Sequence, residues 1–184
     1  MKAIISMIAL FMSAFSLGGY TYYSTQNNPK AKGLDLKIGI PNSFILKDGY
    51  RPNVVLKFID TNLNIIMVLI YKSPDFVGVE LNQTNYKEFC ESNIVDMSKN
   101  NMLSRLISCD MLVIENLPAV GMVSEILGKR LNLEITSYNN TYFVFYRDYL
   151  IEINFVSVDM QKLLTLEDTI YQVLNSIVIN DMYR

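Results

Sequence analysis

The side chains that could do chemistry are few. Cys90 and Cys109 are the only thiols in a chain that contains no histidine. Lack of histidine removes the usual general base near neutral pH, every Ser-His or Cys-His nucleophile pair and most zinc and copper sites. The spacing of the two cysteines matches neither a redox pair nor a zinc site. In an exported chain an even cysteine count points to a disulfide, and the alternative is two small buried hydrophobes. The acids Asp75, Glu80, Glu88 and Glu91 are too widely spaced for a calcium loop. No catalytic residue, metal or cofactor is expected, and the chain reads as a non-enzyme; paired carboxylates or a Ser-Lys pair would be the tools of a histidine-independent enzyme.

A second group suits contact rather than reaction. Tyr138, Asn139, Asn140 and Tyr142, with Tyr146 shortly after, concentrate tyrosine and asparagine where hairpin ends are expected. Tyrosine offers large contact area at low entropic cost and asparagine adapts its hydrogen bonds, so these residues are the candidate protein-binding surface. The same residues also suit an ordinary strand and turn.

These groups are delivered by a chain of 184 residues whose start reads as an export signal. Lys2 precedes an uncharged apolar run from Ala3 to Leu17, and Ala14-Phe15-Ser16 has the small-x-small form of a cleavage site, which predicts a signal peptide over 1–18. The alternative is an uncleaved inner-membrane anchor over residues 3–23, with Tyr20, Tyr22 and Tyr23 at the interface. The expected location is therefore periplasmic or secreted. The polar stretch after the leader predicts a flexible linker over 19–33, followed by a single domain over 34–184.

Composition excludes further partners. With 16 Lys and Arg against 18 Asp and Glu, the formal net charge is −2 and no basic cluster exists, so nucleic acid is not expected. A hydrophobic fraction of 51% suits one folded core.

Periodicity supplies the elements. A strand is expected over 34–40, ending at Pro41, and a hairpin over Val54–Asp60 and Ile65–Lys72, the second strand lying mid-sheet and covered on both faces. Thr84 is the expected cap of a helix to about Ser98 that places Cys90 on its apolar stripe. Strand alternation around Cys109 turns it the same way as Met111 and Val113. A meander is expected next, with turns at Gly128-Lys129, 138–141 and Arg147-Asp148. Thr165 and Asp168 suggest a capping box opening the last helix, Leu166 to Ile177.

The order of elements, with Ile38-Gly39-Ile40-Pro41 entering the domain, Asn116-Leu117-Pro118-Ala119 leading into the meander and Asn175-Ser176-Ile177 in the last helix, resembles the PsbP-like proteins, which include exported bacterial members. The resemblance covers most of residues 34 to 181. It implies an α+β fold, an α/β/α sandwich with a central antiparallel β-sheet flanked by two helices, used in accessory and protein-binding roles with no shared activity. The functional expectation is an exported, non-enzymatic protein-binding accessory protein of the bacterial envelope. Its sharper form is an immunity protein neutralising a secreted toxin, and its alternative an envelope-maintenance or structural protein.

Overall fold

The computed structural model describes residues 19–98, 103–130 and 133–183. The leader expected over 1–18 lies outside them. Among the described residues no helix is long and apolar enough to cross a membrane.

The described residues form ten strands and three helices in the order β1 (Tyr20–Ser24), β2 (Leu36–Pro41), β3 (Ile45–Lys47), β4 (Val54–Ile59), β5 (Ile65–Lys72), α1 (Tyr86–Ser98), β6 (Leu103–Ile114), β7 (Leu117–Arg130), β8 (Leu133–Tyr146), β9 (Tyr149–Ser157), α2 (Met160–Thr165), α3 (Glu167–Asn175) and β10 (Val178–Ile179). Seven strands form the main antiparallel sheet in the order β3-β4-β5-β9-β8-β7-β6, and β1-β2-β10 form a small one. This is the expected α+β arrangement around a central antiparallel sheet, with a second sheet added.

One face of the main sheet is the principal core. Ile66, Val68 and Ile70 of β5 and Ile151, Ile153 and Phe155 of β9 alternate onto it, where they meet Leu36, Ile38 and Ile40 of β2 and Ile170 and Val173 of α3. We call this the inner face. On the opposite, outer face α1 covers one end of the sheet, its Phe89 packing edge-on against Phe143 at 5.1 Å and Phe145 at 5.9 Å. The β5 run is mid-sheet as expected, but its outer face is only partly covered, leaving Ile65, Met67 and Tyr71 half-buried.

The expected linker over 19–33 is instead part of the domain. Residues 20–24 pair with Lys37–Pro41, and the Tyr23 ring packs against Phe58 at 4.7 Å. Thr25 Oγ1 donates to the Leu34 carbonyl at 2.7 Å and accepts from the Leu36 amide at 2.9 Å, while Asn28 accepts from the Lys30 amide. The polar residues of this stretch are turn and cap chemistry for a short 3-10 turn over Pro29–Ala31, with Ala31 buried. Of the alternative anchor over 3–23, residues 20–23 are in a sheet and residues 3–18 lie outside the described residues.

Two of the expected turns and two of the expected helix caps also differ. β8 runs unbroken from Leu133 to Tyr146, so no turn exists at 138–141; it is paired on both sides, to β7 and β9. β7 passes through Gly128 to Arg130, and its connection to β8 falls on 131–132, outside the described residues. The last helix, α3, begins at Glu167, close to the expected Leu166, but a short helix precedes it: Asp159 caps α2 by accepting from the Gln161 amide at 2.8 Å, and the Thr165 hydroxyl donates back to the Lys162 carbonyl instead of capping. Thr84, likewise, donates to Asn82 Oδ1 at 2.6 Å and does not cap α1.

Candidate functional site

β6 forms one edge of the main sheet, and the three-residue β3 forms the other. Among the described residues no strand pairs with the outer side of β6. A long edge presents unpaired backbone donors and acceptors, which natural sheets shorten, charge or cover. β6 is twelve residues long and exposes Leu103, Ile107 and Val113. A bulge at Ile107, between Leu106 and Ser108, and the Arg105–Glu125 ion pair at 2.8 Å break its first half. From Ser108 to Ile114 the edge is regular, with Asp110 its only charge.

A cavity of about 320 Å³ opens on the inner face beside this edge. Its floor comes from β6, β7 and β8 through Leu112, Val123, Asn140 and Tyr142, and its wall from α2 and α3 through Leu164, Glu167 and Tyr171 among others. Sequence explains the shape locally. Gly121 lies between Asp110 on β6 and Tyr142 on β8 in the ladder. A Cβ there would approach Tyr142 Cε1 to 3.0 Å and Leu112 Cδ2 to 3.4 Å, so the glycine lets the tyrosine ring cross β7 toward Leu112. The break at Leu166 between α2 and α3 leaves Leu164 and Tyr171 exposed at the rim.

Electrostatically the cavity is quiet. Burial pushes the Tyr142 phenol above its usual range, the nearby Glu167 and Asp110 charges push the same way, and a hydrogen bond with Asn140 opposes them. The ring is therefore a neutral hydrogen-bonding contact at neutral pH. Such an arrangement offers mostly apolar contact surface with one neutral hydroxyl among it.

The structure divides the five tyrosine and asparagine candidates among different places. Asn140 and Tyr142 share the cavity. Tyr138 faces Glu125 across β7, and a hydrogen bond to that carboxylate raises its phenol pKa. Asn139 points to the outer face, where its buried Oδ1 has no partner. Tyr146 is buried in the main core, its ring beneath the Arg147 guanidinium at 5.0 Å. Tyr146 alone occupies a hairpin end, paired with Tyr149 across the Arg147-Asp148 turn, and the other four are mid-strand because the turn expected at 138–141 is strand. Cys90 and Cys109 lie within disulfide distance, Cα to Cα 6.4 Å, and join α1 to the edge strand. Among the described residues no three or more Cys, Asp or Glu side chains cluster as metal ligands would. Sequence reasoning missed Gly121, Leu112, Leu164 and Tyr171; a glycine inside a β-branched run was the one available signal.

No known family model matches this sequence, and no curated protein does. Solved structures do. Cyanobacterial PsbP from Synechocystis superposes with a TM-score of 0.59 at 15% identity, over 87% of this chain and 92% of that one. The Ran-binding protein Mog1p of Saccharomyces cerevisiae gives 0.56 at 8% identity, over 88% and 96%. LpqN, involved in cell envelope biogenesis in Mycobacterium tuberculosis, gives 0.55 at 11% identity, over 87% and 91%. The fold is PsbP-like.

Proposed function

We propose that this protein is an exported, non-enzymatic accessory protein of the bacterial envelope that binds another protein by adding a strand to β6. The observation that carries the reading is the regular open edge from Ser108 to Ile114 lying beside an apolar cavity. In strand addition, main-chain hydrogen bonds supply affinity, and pockets for alternate side chains supply specificity. A strand laid along β6 would turn alternate side chains toward the inner face, next to Leu112, Leu164 and Tyr171. The leader-like start, the cysteine pair and the absence of histidine from the sequence support the exported, non-enzymatic part. Neighbours of this fold include a Ran-binding protein and a cell envelope biogenesis protein, which accords with a binding role in the envelope. Identity of the partner decides between toxin neutralisation and envelope maintenance.

Photo-crosslinking in the native cell tests this. A crosslinking residue at Val113 is expected to capture a discrete protein, whereas one at Leu63, exposed in the β4–β5 loop, captures none. Capture from Leu63 alone, or from neither position, overturns the reading.

A further inference from the structure

The outer face of the main sheet carries a second opening, unrelated to the β6 edge. It is a groove of about 590 Å³, within the usual range of small-ligand sites, spanning β4, β5, β9, β8 and β7. The segment from Gly49 to Val54 overhangs it, with Tyr50 95% exposed at its mouth.

Its floor carries a row of polar side chains among apolar ones, where the reverse side of the same strands is apolar. On β9, Ile151, Ile153 and Phe155 enter the core, while Glu152 and Asn154 face the groove. Thr141 and Asn154 are direct cross-strand partners, and Thr141 Oγ1 donates to Asn154 Oδ1 at 2.5 Å. Asn154 Nδ2 donates to Glu152 Oε1 at 2.7 Å, and the Tyr71 hydroxyl bonds to the same carboxylate. Burial raises the Glu152 pKa above its ordinary value, opposed by those hydrogen bonds and by the Arg51 charge. Thr141 and Asn154 are 1% and 8% exposed. At the other end, Asn139 and its cross-strand partner Ser124 each hold a buried oxygen without a hydrogen bond. Four residues of strand separate the level of Asn139 from that of Glu152, about 13 Å at the usual rise. Burying such groups costs roughly 1–3 kcal/mol each when they lack partners, so a polar floor here needs a reason that sheet stability does not provide.

From these groups we infer that the groove binds a neutral saccharide, a short oligosaccharide in extended form. The ligand classes separate on chemistry. An anion would face Glu152, and a cation would face Arg51 and Lys57. An apolar ligand would seal Asn139 Oδ1 beneath it without a partner. An extended peptide would find no main-chain pairing, since β5, β8 and β9 are hydrogen-bonded on both sides. Hydroxyl groups both donate and accept, which matches a row that mixes Asn, Thr, Tyr, Glu, Arg and Lys side chains. Met67 and Leu69 supply apolar surface for the C–H faces of a sugar ring, and Tyr50 supplies an accessible aromatic one.

The test is an amide-resolved NMR titration of the folded domain with neutral oligomers of N-acetylglucosamine and of glucose at millimolar concentration. At least one series is expected to shift groove amides on β5, β8 and β9, with affinity falling tenfold or more in Glu152→Gln and in Tyr50→Ala. Tyr50 is exposed, so its variant reports binding even if Glu152→Gln disturbs folding. Val113→Lys at the β6 edge is expected to leave sugar binding unchanged, which separates this site from the protein-binding one. No shift with either series, shifts confined to residues outside the groove, binding indifferent to both groove variants, or binding only of charged ligands or peptides would overturn the inference.

Discussion

The ring of Tyr142 lies across Gly121, so near that a Cβ at residue 121 would stand 3.0 Å from Tyr142 Cε1. Backbone and ring together set the floor of the cavity beside β6. Gly121→Val must displace the ring into space that Leu112 already borders. We expect a loss of about 1–3 kcal/mol, the usual cost of overpacking, measured by urea denaturation. Tyr142→Phe keeps the ring and is expected to leave stability nearly unchanged, which would show that the contact is steric.

The Cys90–Cys109 link closes a loop across a sequence separation of 19. On the chain-entropy account its removal costs about 3 kcal/mol. Cys109→Ser paired with Cys90→Ser is expected to lower the denaturation midpoint accordingly. Thiol labelling of unfolded native material should detect two thiols only after reduction.

Truncation tests the revised domain boundary. A chain beginning at residue 19 should fold, whereas one beginning at Leu34 loses β1 and bares the edge of β2. Since Leu36, Ile38 and Ile40 are at most 1% exposed, the shorter chain should aggregate or show poor dispersion of its amide spectrum.

Glu152 and Tyr71 predict opposite ends of a pH profile. Glu152 has a raised pKa in the fold, so the folded state keeps a proton that the unfolded state releases above the ordinary value of 4.5. Stability from this group is present below that pH and is lost as pH rises through the folded value. Glu152→Gln should remove this slope, so that its stability relative to the parent rises as pH climbs above 4.5. The Tyr71 phenol is pushed up to about 12 by burial first and by Glu152 second. Stability should fall between the ordinary tyrosine value of 10 and 12, and ultraviolet titration should lose its latest component in Tyr71→Phe.

At the β6 edge, Val113→Lys should abolish crosslinked or co-purified partner while changing stability by no more than about 0.5 kcal/mol, as exposed sites usually do.

Local pattern made much of this legible. The β4–β5 hairpin follows from two β-branched runs around Thr61-Asn62-Leu63-Asn64, where Asp60 accepts amides of Asn62 and Asn64 at 2.8 Å each. Helical spacing around Cys90 and strand alternation around Cys109 anticipated that helix and sheet could bring them together. Polarity misled elsewhere. Asn139, Asn140 and Thr141 have the composition of a turn, yet they are mid-strand because β8 is paired on both sides and because two of them line the polar outer face. The small sheet was hidden for a different reason: β1 and β10 both pair with β2, and contacts of that range leave no local periodicity. Gly121 could be noticed as a glycine in a strand, but the ring that crosses it comes from β8, a strand later.

Beginning the first strand at Tyr20 bears on reach. Were the leader retained in a bilayer, no slack chain would separate lipid from folded protein, and the small sheet would sit flush with the headgroups, restricting the directions from which a partner could approach. Were it cut near Gly18, the new amino terminus would begin almost at the strand itself, so maturation would both release the molecule and leave it without a leash.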